Sequence, residues 1–237
     1  MARIVCHHAG VLLIWLFACN DRLVDSSTST LSTSDVTQVR ITAVTGALRV
    51  IGKSVDTVQV TARLRTSLDT EAEIDLSDTD DTGFFADDVD QFAIDNGTVD
   101  TFTEAGDARV SAVLSDDVLS DYWYDVKVVM PLGLPVVVTG VSREVRVVGT
   151  AGAAITDDGG TIVVRNIDGD VAVTDEGGSI NIVNVTGDVY VVDGDGSVVI
   201  KHVTGSATVE DGAGQVITND VDGAVNVTSE SGRVLDK

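Results

Sequence analysis

The stretch Gly178–Gly196, GSINIVNVTGDVYVVDGDG, opens and closes on glycine, carries a third glycine at its midpoint, Gly187, and alternates aliphatic with polar residues between them. The beat continues outward in both directions. Gly160, Gly178, Gly196, Gly214 and Gly232 are spaced by 18, and Gly169, Gly187, Gly205 and Gly223 form a second series of 18 offset by nine. Aliphatic residues keep the same places in each unit: Ile180, Ile182 and Val185 correspond to Val198, Ile200 and Val203, and Val171 and Val173 to Val189 and Val191. Residues two apart share one face of a strand, so each nine-residue half is a short strand with one apolar face and a tight bend.

Such a unit cannot bury its own apolar face, but coils stacked in register bury each other's. The expected fold is therefore all-β: a single-stranded parallel β-helix, or solenoid, with 18-residue coils of two nine-residue half-turns, successive coils lying about 4.8 Å apart. Glycine recurs because each coil turns twice, where a positive φ or the approach of a stacked backbone excludes a Cβ. An antiparallel meander with regular hairpins is the alternative. It rarely holds an identical period over four copies, because hairpin loops change length freely.

Upstream the repeat decays. AGAAITDDGG, residues 151–160, aligns with GDVAVTDEGG, residues 169–178, at the same offset, whereas REVRVVG, residues 143–149, falls one residue out of phase. The segment 36–67 is strand-like, with its own TGALRVIG, and 69–107 is acidic and without period. Terminal repeats of a solenoid are atypical because one side faces water. Residues 36–140 are accordingly expected to be degenerate N-terminal β coils and loops, and 141–237 the regular solenoid repeats. The composition agrees: 43% hydrophobic but only 4% aromatic, with 23 glycines and 2 prolines, which suits β-branched strands joined by Gly, Asp and Asn turns.

The first residues differ. Arg3 precedes a short apolar run, GVLLIWLFAC, residues 10–19, too short for a mature membrane span but suited to a secretory signal. LFAC, residues 16–19, resembles the lipobox of bacterial lipoproteins, although Phe17 is bulkier than the residue usual there. The resemblance implies removal of residues 1–18 as a signal peptide and acylation of Cys19. An ordinary signal peptide with an incidental cysteine is the alternative. Cys6 and Cys19 are the two cysteines of the chain, so removal of the leader leaves one thiol without a partner. Asn20, by resemblance to lipoprotein sorting signals, leaves the outer membrane open as a destination. Residues 19–35 include the Ser/Thr-rich DSSTSTLSTSD and are expected to form a flexible tether.

The succession VTGALRVIG, then YDVKVVMPLGLPVVVTGVSREVRVVG (residues 124–149), then the G-x-V-x-V coils resembles the bacterial "putative adhesin" family of unknown function. The resemblance spans roughly residues 36–235. It implies a glycine-punctuated parallel β-solenoid and an adhesive or structural role in the cell envelope, and it supplies no catalytic residue to carry over.

The formal net charge is −23, from 38 acids against 15 bases, and loss of the leader removes only Arg3. A surface of this sign disfavours nucleic acid and anionic headgroups. Membrane contact is expected through an acyl chain, with a surface protein or polysaccharide as the possible partner and the oligomeric state open. Asp157, Asp175, Asp193 and Asp211 recur at one place in consecutive coils. They are read as solvated turn carboxylates, whose like charges repel by about 1 kcal/mol per neighbour in bulk water. The alternative is a row of calcium sites assisted by Glu176, Asp195 and Glu210. The calcium-roll pattern G-G-x-G-x-D is missing, and DGDGS, residues 193–197, has Thr204 where an EF-hand loop needs glutamate.

No cofactor, metal ligand set or catalytic residue is assigned. His7 and His8 lie in the leader, and His202 takes the bend position that Asn166, Asn184 and Asp220 hold in other coils, so it reads as a polar turn residue. A carboxylate pair for polysaccharide cleavage is a third, distant alternative. DYWYD, residues 121–125, places Tyr122 and Tyr124 on one face and Trp123 on the other, and is expected to seal an end of the core rather than to form a binding platform.

Overall fold

A computed structural model describes residues 22–68, 86–118 and 120–236, and among them the chain forms seventeen strands and one helix. The N-terminal half contributes β1 (Arg22–Ser32), β2 (Gln38–Val44), β3 (Leu48–Lys53), β4 (Thr57–Thr66), α1 (Ala86–Asp95), β5 (Gly97–Glu104), β6 (Asp107–Leu114) and β7 (Tyr122–Pro131). The regular half contributes β8 (Val136–Val141), β9 (Glu144–Val148), β10 (Ala153–Thr156), β11 (Thr161–Ile167), β12 (Val171–Asp175), β13 (Gly178–Val185), β14 (Val189–Val203), β15 (Ala207–Val221), β16 (Val225–Ser229) and β17 (Arg233–Asp236).

The solenoid is as expected. Val171, Val189, Ala207 and Val225 are direct register partners in a parallel ladder, and Val173, Val191, Val209 and Val227 stand over one another two residues on. A second parallel ladder carries Ile180, Val198, Val216 and Val234. Six coils begin at Val136, Ala153, Val171, Val189, Ala207 and Val225. The coil from Val136 is one residue short, pairing with Ala153, which is the phase slip visible in the sequence. Inward valines and isoleucines of both ladders form one continuous core, with Val173, Ile182, Val191, Ile200 and Val209 fully buried. Each such side chain contributes about 1.5–3 kcal/mol of burial free energy.

The two glycine series turn the chain for different reasons. Gly196 has φ +141°, and a Cβ on it would lie 1.9 Å from the Gly178 carbonyl oxygen. Gly205 has no positive φ, but a Cβ there would meet the Gly187 oxygen at 2.4 Å. Gly196 needs both conformational freedom and space, Gly205 space alone.

The N-terminal half departs from a plain row of degenerate coils. β2 and β3 form one coil, but they lie between β6–β7 and β8–β9: β2 pairs in parallel with both β6 and β8, and β3 with both β7 and β9. Axial order and sequence order therefore differ. Two strands run antiparallel at the far end, β4 against β7 and β5 against β6. The expected tether is also corrected. Residues 22–32 form the edge strand β1, paired antiparallel with β4 from Arg22↔Thr66 to Ser32↔Thr57. Backbone pairing needs no large side chain, the Thr residues suit a pleated edge, and Val24 and Leu31 pack against the core.

This end is covered. Ala93 of α1 is fully buried, and Asp90 accepts hydrogen bonds from the Tyr122 hydroxyl at 2.7 Å and from Arg22 at 2.6 and 2.8 Å. Burial, reinforced by the Asp90 carboxylate, holds the Tyr122 phenol well above its ordinary range. Tyr122, Trp123 and Tyr124 are all buried, Trp123 beneath the Arg143 guanidinium at 4.0 Å from its ring centre. Tyr122 and Tyr124 join the core, and Trp123 lies on the opposite face, as the alternation suggests.

Candidate functional site

Two columns of polar side chains run along the bends of the solenoid. The first is the bend at the penultimate residue of β11, β13, β14 and β15. Asn166, Asn184, His202 and Asp220 all adopt left-handed backbone, with φ between 55° and 61°. Asn is the side chain that best tolerates this region after glycine, and stacking lets neighbours bond across coils. Asn184 Nδ2 donates to Asn166 Oδ1 at 2.8 Å, and His202 Nδ1 lies 2.6 Å from Asp220 Oδ2. Both pairs are exposed, along a shallow groove of about 390 Å3. His202 is thus a bend residue, as read from the sequence.

The second column is the aspartate file, and here the sequence reading is corrected. Asp157, Asp175, Asp193 and Asp211 are not solvated: they are 3–5% exposed. Asp175, Asp193 and Asp211 are consecutive register partners, with Ser229 next in line. The reason is parity. Val171, Val173 and Asp175 are two apart, so the strand that points its valines inward also points the carboxylate inward.

Few groups receive these carboxylates. The Val141 N–H donates to Asp157 Oδ1 at 2.9 Å, and the Ser229 hydroxyl to Asp211 Oδ2 at 2.7 Å. Asp157 Oδ2, both oxygens of Asp175, both of Asp193 and Asp211 Oδ1 are buried and reach no well-formed hydrogen bond among the described residues. Burial pushes the pKa of Asp157 and of Asp193 up to about 6. For Asp193 the carboxylates of Asp175, Asp211 and Asp195 add to that effect, and the pull of the nearby Gly194 N–H opposes it. Asp175 is raised for the same first reason, against the pull of the Gly177 and Glu176 N–H groups. An ionised carboxylate is costly here and a protonated one is not.

The proposed calcium helpers do not join the file. Glu176, Asp195 and Glu210 are exposed, and Glu210 instead accepts from the Tyr190 hydroxyl at 3.0 Å. Among the described residues no three His, Cys, Asp or Glu side chains converge as a metal ion would require. Cys19, the expected acylation site, lies outside the described residues. No described helix is long and apolar enough to cross a membrane.

No family model matches the sequence, and no curated protein sequence matches it either. Several solved structures are similar. A "putative adhesin" from Bacteroides fragilis is 10% identical, with 90% of this chain and 97% of that one covered at a TM-score of 0.42. A "putative cell adhesion protein" from Clostridium sporogenes is 8% identical, over 91% of this chain and 99% of that one, at a TM-score of 0.36. A "putative lipid binding protein" from Parabacteroides distasonis is 9% identical, over 90% and 97%, at a TM-score of 0.28.

Proposed function

We propose that this chain is an exported, lipid-anchored β-solenoid that acts without catalysis, as an adhesive or structural element of the bacterial cell envelope. The observation that carries this reading is the stack itself: a continuous core of fully buried aliphatic residues holds broad, flat outer sheet faces in fixed register. Such faces suit recognition of an extended partner rather than enclosure of a small substrate. Acylation of Cys19 would place the capped end at the bilayer, because only Asn20 and Asp21 separate that residue from β1. The body then stands on the membrane by its N-terminal cap and projects its C-terminal coils outward.

Two measurements test this. Cells making the wild type, fed labelled palmitate, should yield a labelled membrane-bound protein, and Cys19→Ser should yield an unlabelled one released from the membrane. Identical labelling of both removes the anchor. Cells displaying the protein should bind envelope or matrix polysaccharide surfaces better than cells lacking it, and equal binding removes the adhesive role.

A second reading starts from the six aspartate oxygens that lack a well-formed hydrogen bond among the described residues: the file takes up cations such as calcium. It requires a melting temperature that climbs with calcium and falls in chelator at constant ionic strength. An unchanged temperature eliminates it.

A further inference from the structure

The chain has 15 lysines and arginines against 38 acids, yet five of its cations, Arg49, Arg63, Arg65, Lys127 and Arg146, line one open cleft of about 330 Å3 on the outer face of β3, β4, β7 and β9. Register builds this cluster. Arg49 is the direct partner of Lys127 on one side and of Arg146 on the other. Three cations therefore stand in a straight row along the winding axis, at the strand spacing of about 4.8 Å. Arg63 and Arg65 enter beside them from β4, opposite Asp125 and Trp123.

Compensation is incomplete. Arg65 Nε lies 2.8 Å from Asp125 Oδ2, but among the described residues Arg49, Arg63, Lys127 and Arg146 form no ion pair. With Asp125 and Glu144 counted, the cleft keeps a net charge of +3 in a chain of −23. The Nε of Arg146 is buried without a hydrogen-bond partner. Like charges side by side on a sheet oppose folding, so fold stability does not account for the row.

The shape of the cluster selects its ligand. A bilayer surface or a nucleic-acid duplex would bring its own negative charge against the acidic remainder of the protein. A thin, extended polyanion touches only the strip. An extended acidic peptide repeats its same-face carboxylates about 6.8 Å apart, out of step with cations about 4.8 Å apart, whereas a chain of acidic sugars carries an acid group on every ring. Guanidinium groups pair with carboxylate or sulfate in forked geometry.

We propose that this cleft binds a linear acidic polysaccharide, its carboxylate or sulfate groups meeting Lys127, Arg49 and Arg146. The inference rests on the adhesive reading for its purpose, but its binding test does not depend on it.

The probes are polygalacturonate, neutral dextran, free inorganic sulfate and vesicles containing anionic lipid, each titrated against the full chain. Polygalacturonate should bind, with affinity that falls as salt rises, while the other three do not. The variant Arg49→Gln/Lys127→Gln/Arg146→Gln should bind polygalacturonate about tenfold or more weaker, with a melting temperature no lower than that of the wild type. Polymer binding by the triple variant equal to that of the wild type overturns the assignment. So does sulfate or vesicle binding as tight as the polymer's, or no polymer binding at all. On displayed cells, a triple variant that adheres as well as an adherent wild type sinks this inference and leaves the adhesive role standing. A wild type that binds the polymer in solution but confers no adhesion does the reverse.

Discussion

Replacing Asp193 by asparagine should stabilise the protein at neutral and alkaline pH. The side chain is 3% exposed, neither oxygen reaches a well-formed hydrogen bond, and its pKa stands at about 6 in the folded chain against 3.8 for an ordinary aspartate. Keeping it ionised in the fold therefore costs about 3 kcal/mol. The sign follows from the direction of the shift. Below about pH 4 the carboxyl is protonated in both states and carries no penalty. Between about pH 4 and pH 6 the unfolded chain has lost the proton that the folded chain still holds, so stability falls across that window and levels off above it. The amide of Asp193→Asn has the same shape as the carboxylate and no charge. The variant should therefore exceed the wild type by about 1–3 kcal/mol at pH 8, after loss of the carboxylate's attraction to the Gly194 N–H. The gain should shrink towards zero at pH 4. Urea unfolding at several pH values between 4 and 8 reads this directly, and a matching slope against denaturant shows that the same surface is being exposed. In melting experiments each kcal/mol corresponds to about 2–4 °C for a chain of this size. A variant that is less stable than the wild type, by the same amount at every pH, would falsify the account, because the carboxylate would then be serving as an anion with a partner.

Other positions make separate claims. Gly196→Ala should cost about 3 kcal/mol or more, because the added Cβ would lie 1.9 Å from a carbonyl oxygen at φ +141°; Gly133→Ala, with nothing within 4 Å, should stay within about 0.5 kcal/mol. Thermal melts of the pair decide it. Asn184→Ala should lose about 1–2 kcal/mol at its left-handed backbone, while Asn184→Gly should lose much less, and equal losses would mean that the bond to Asn166 dominates instead. Ile200→Ala, at a fully buried site, should cost about 2–5 kcal/mol in denaturant unfolding, against a change within about 0.5 kcal/mol for the exposed Tyr190→Ala.

The wound stack was legible because period and parity are both local. Gly178 and Gly196, or Val173 and Val191, announce their stacking by distance in the chain alone. The same parity also carried a signal for the buried aspartates, since Asp175 continues the inward sequence Val171, Val173. The polarity of the side chain, which on average keeps it outside, hid that signal. Two features had no sequence signature. β2 and β3 are short aliphatic strands that fit any neighbouring coil, so nothing in VRITAV or LRVIGK says which two coils they separate. The cation row sets Arg49 between Lys127 and Arg146, which follow much later in the chain, and only that unexpected insertion brings it there. β1 was misjudged for a related reason, since Ser and Thr describe a linker's composition as readily as an edge strand that is held by backbone bonds.

The displaced coil also sets a timetable for the newborn chain. Each C-terminal coil finds its neighbour 18 residues later, as Val189 finds Ala207, and can be added as it is made. Val39 must wait for Ala108, 69 residues on, and for Val136, 97 residues on. Since a chain is made from its N-terminus, the first coil synthesised spends the longest time with two raw edges, the state most open to pairing with a stranger. The slow step of maturation should therefore be the closing of the N-terminal half around β2 and β3, and a holding chaperone, if the chain uses one, has its natural client in residues 38–66.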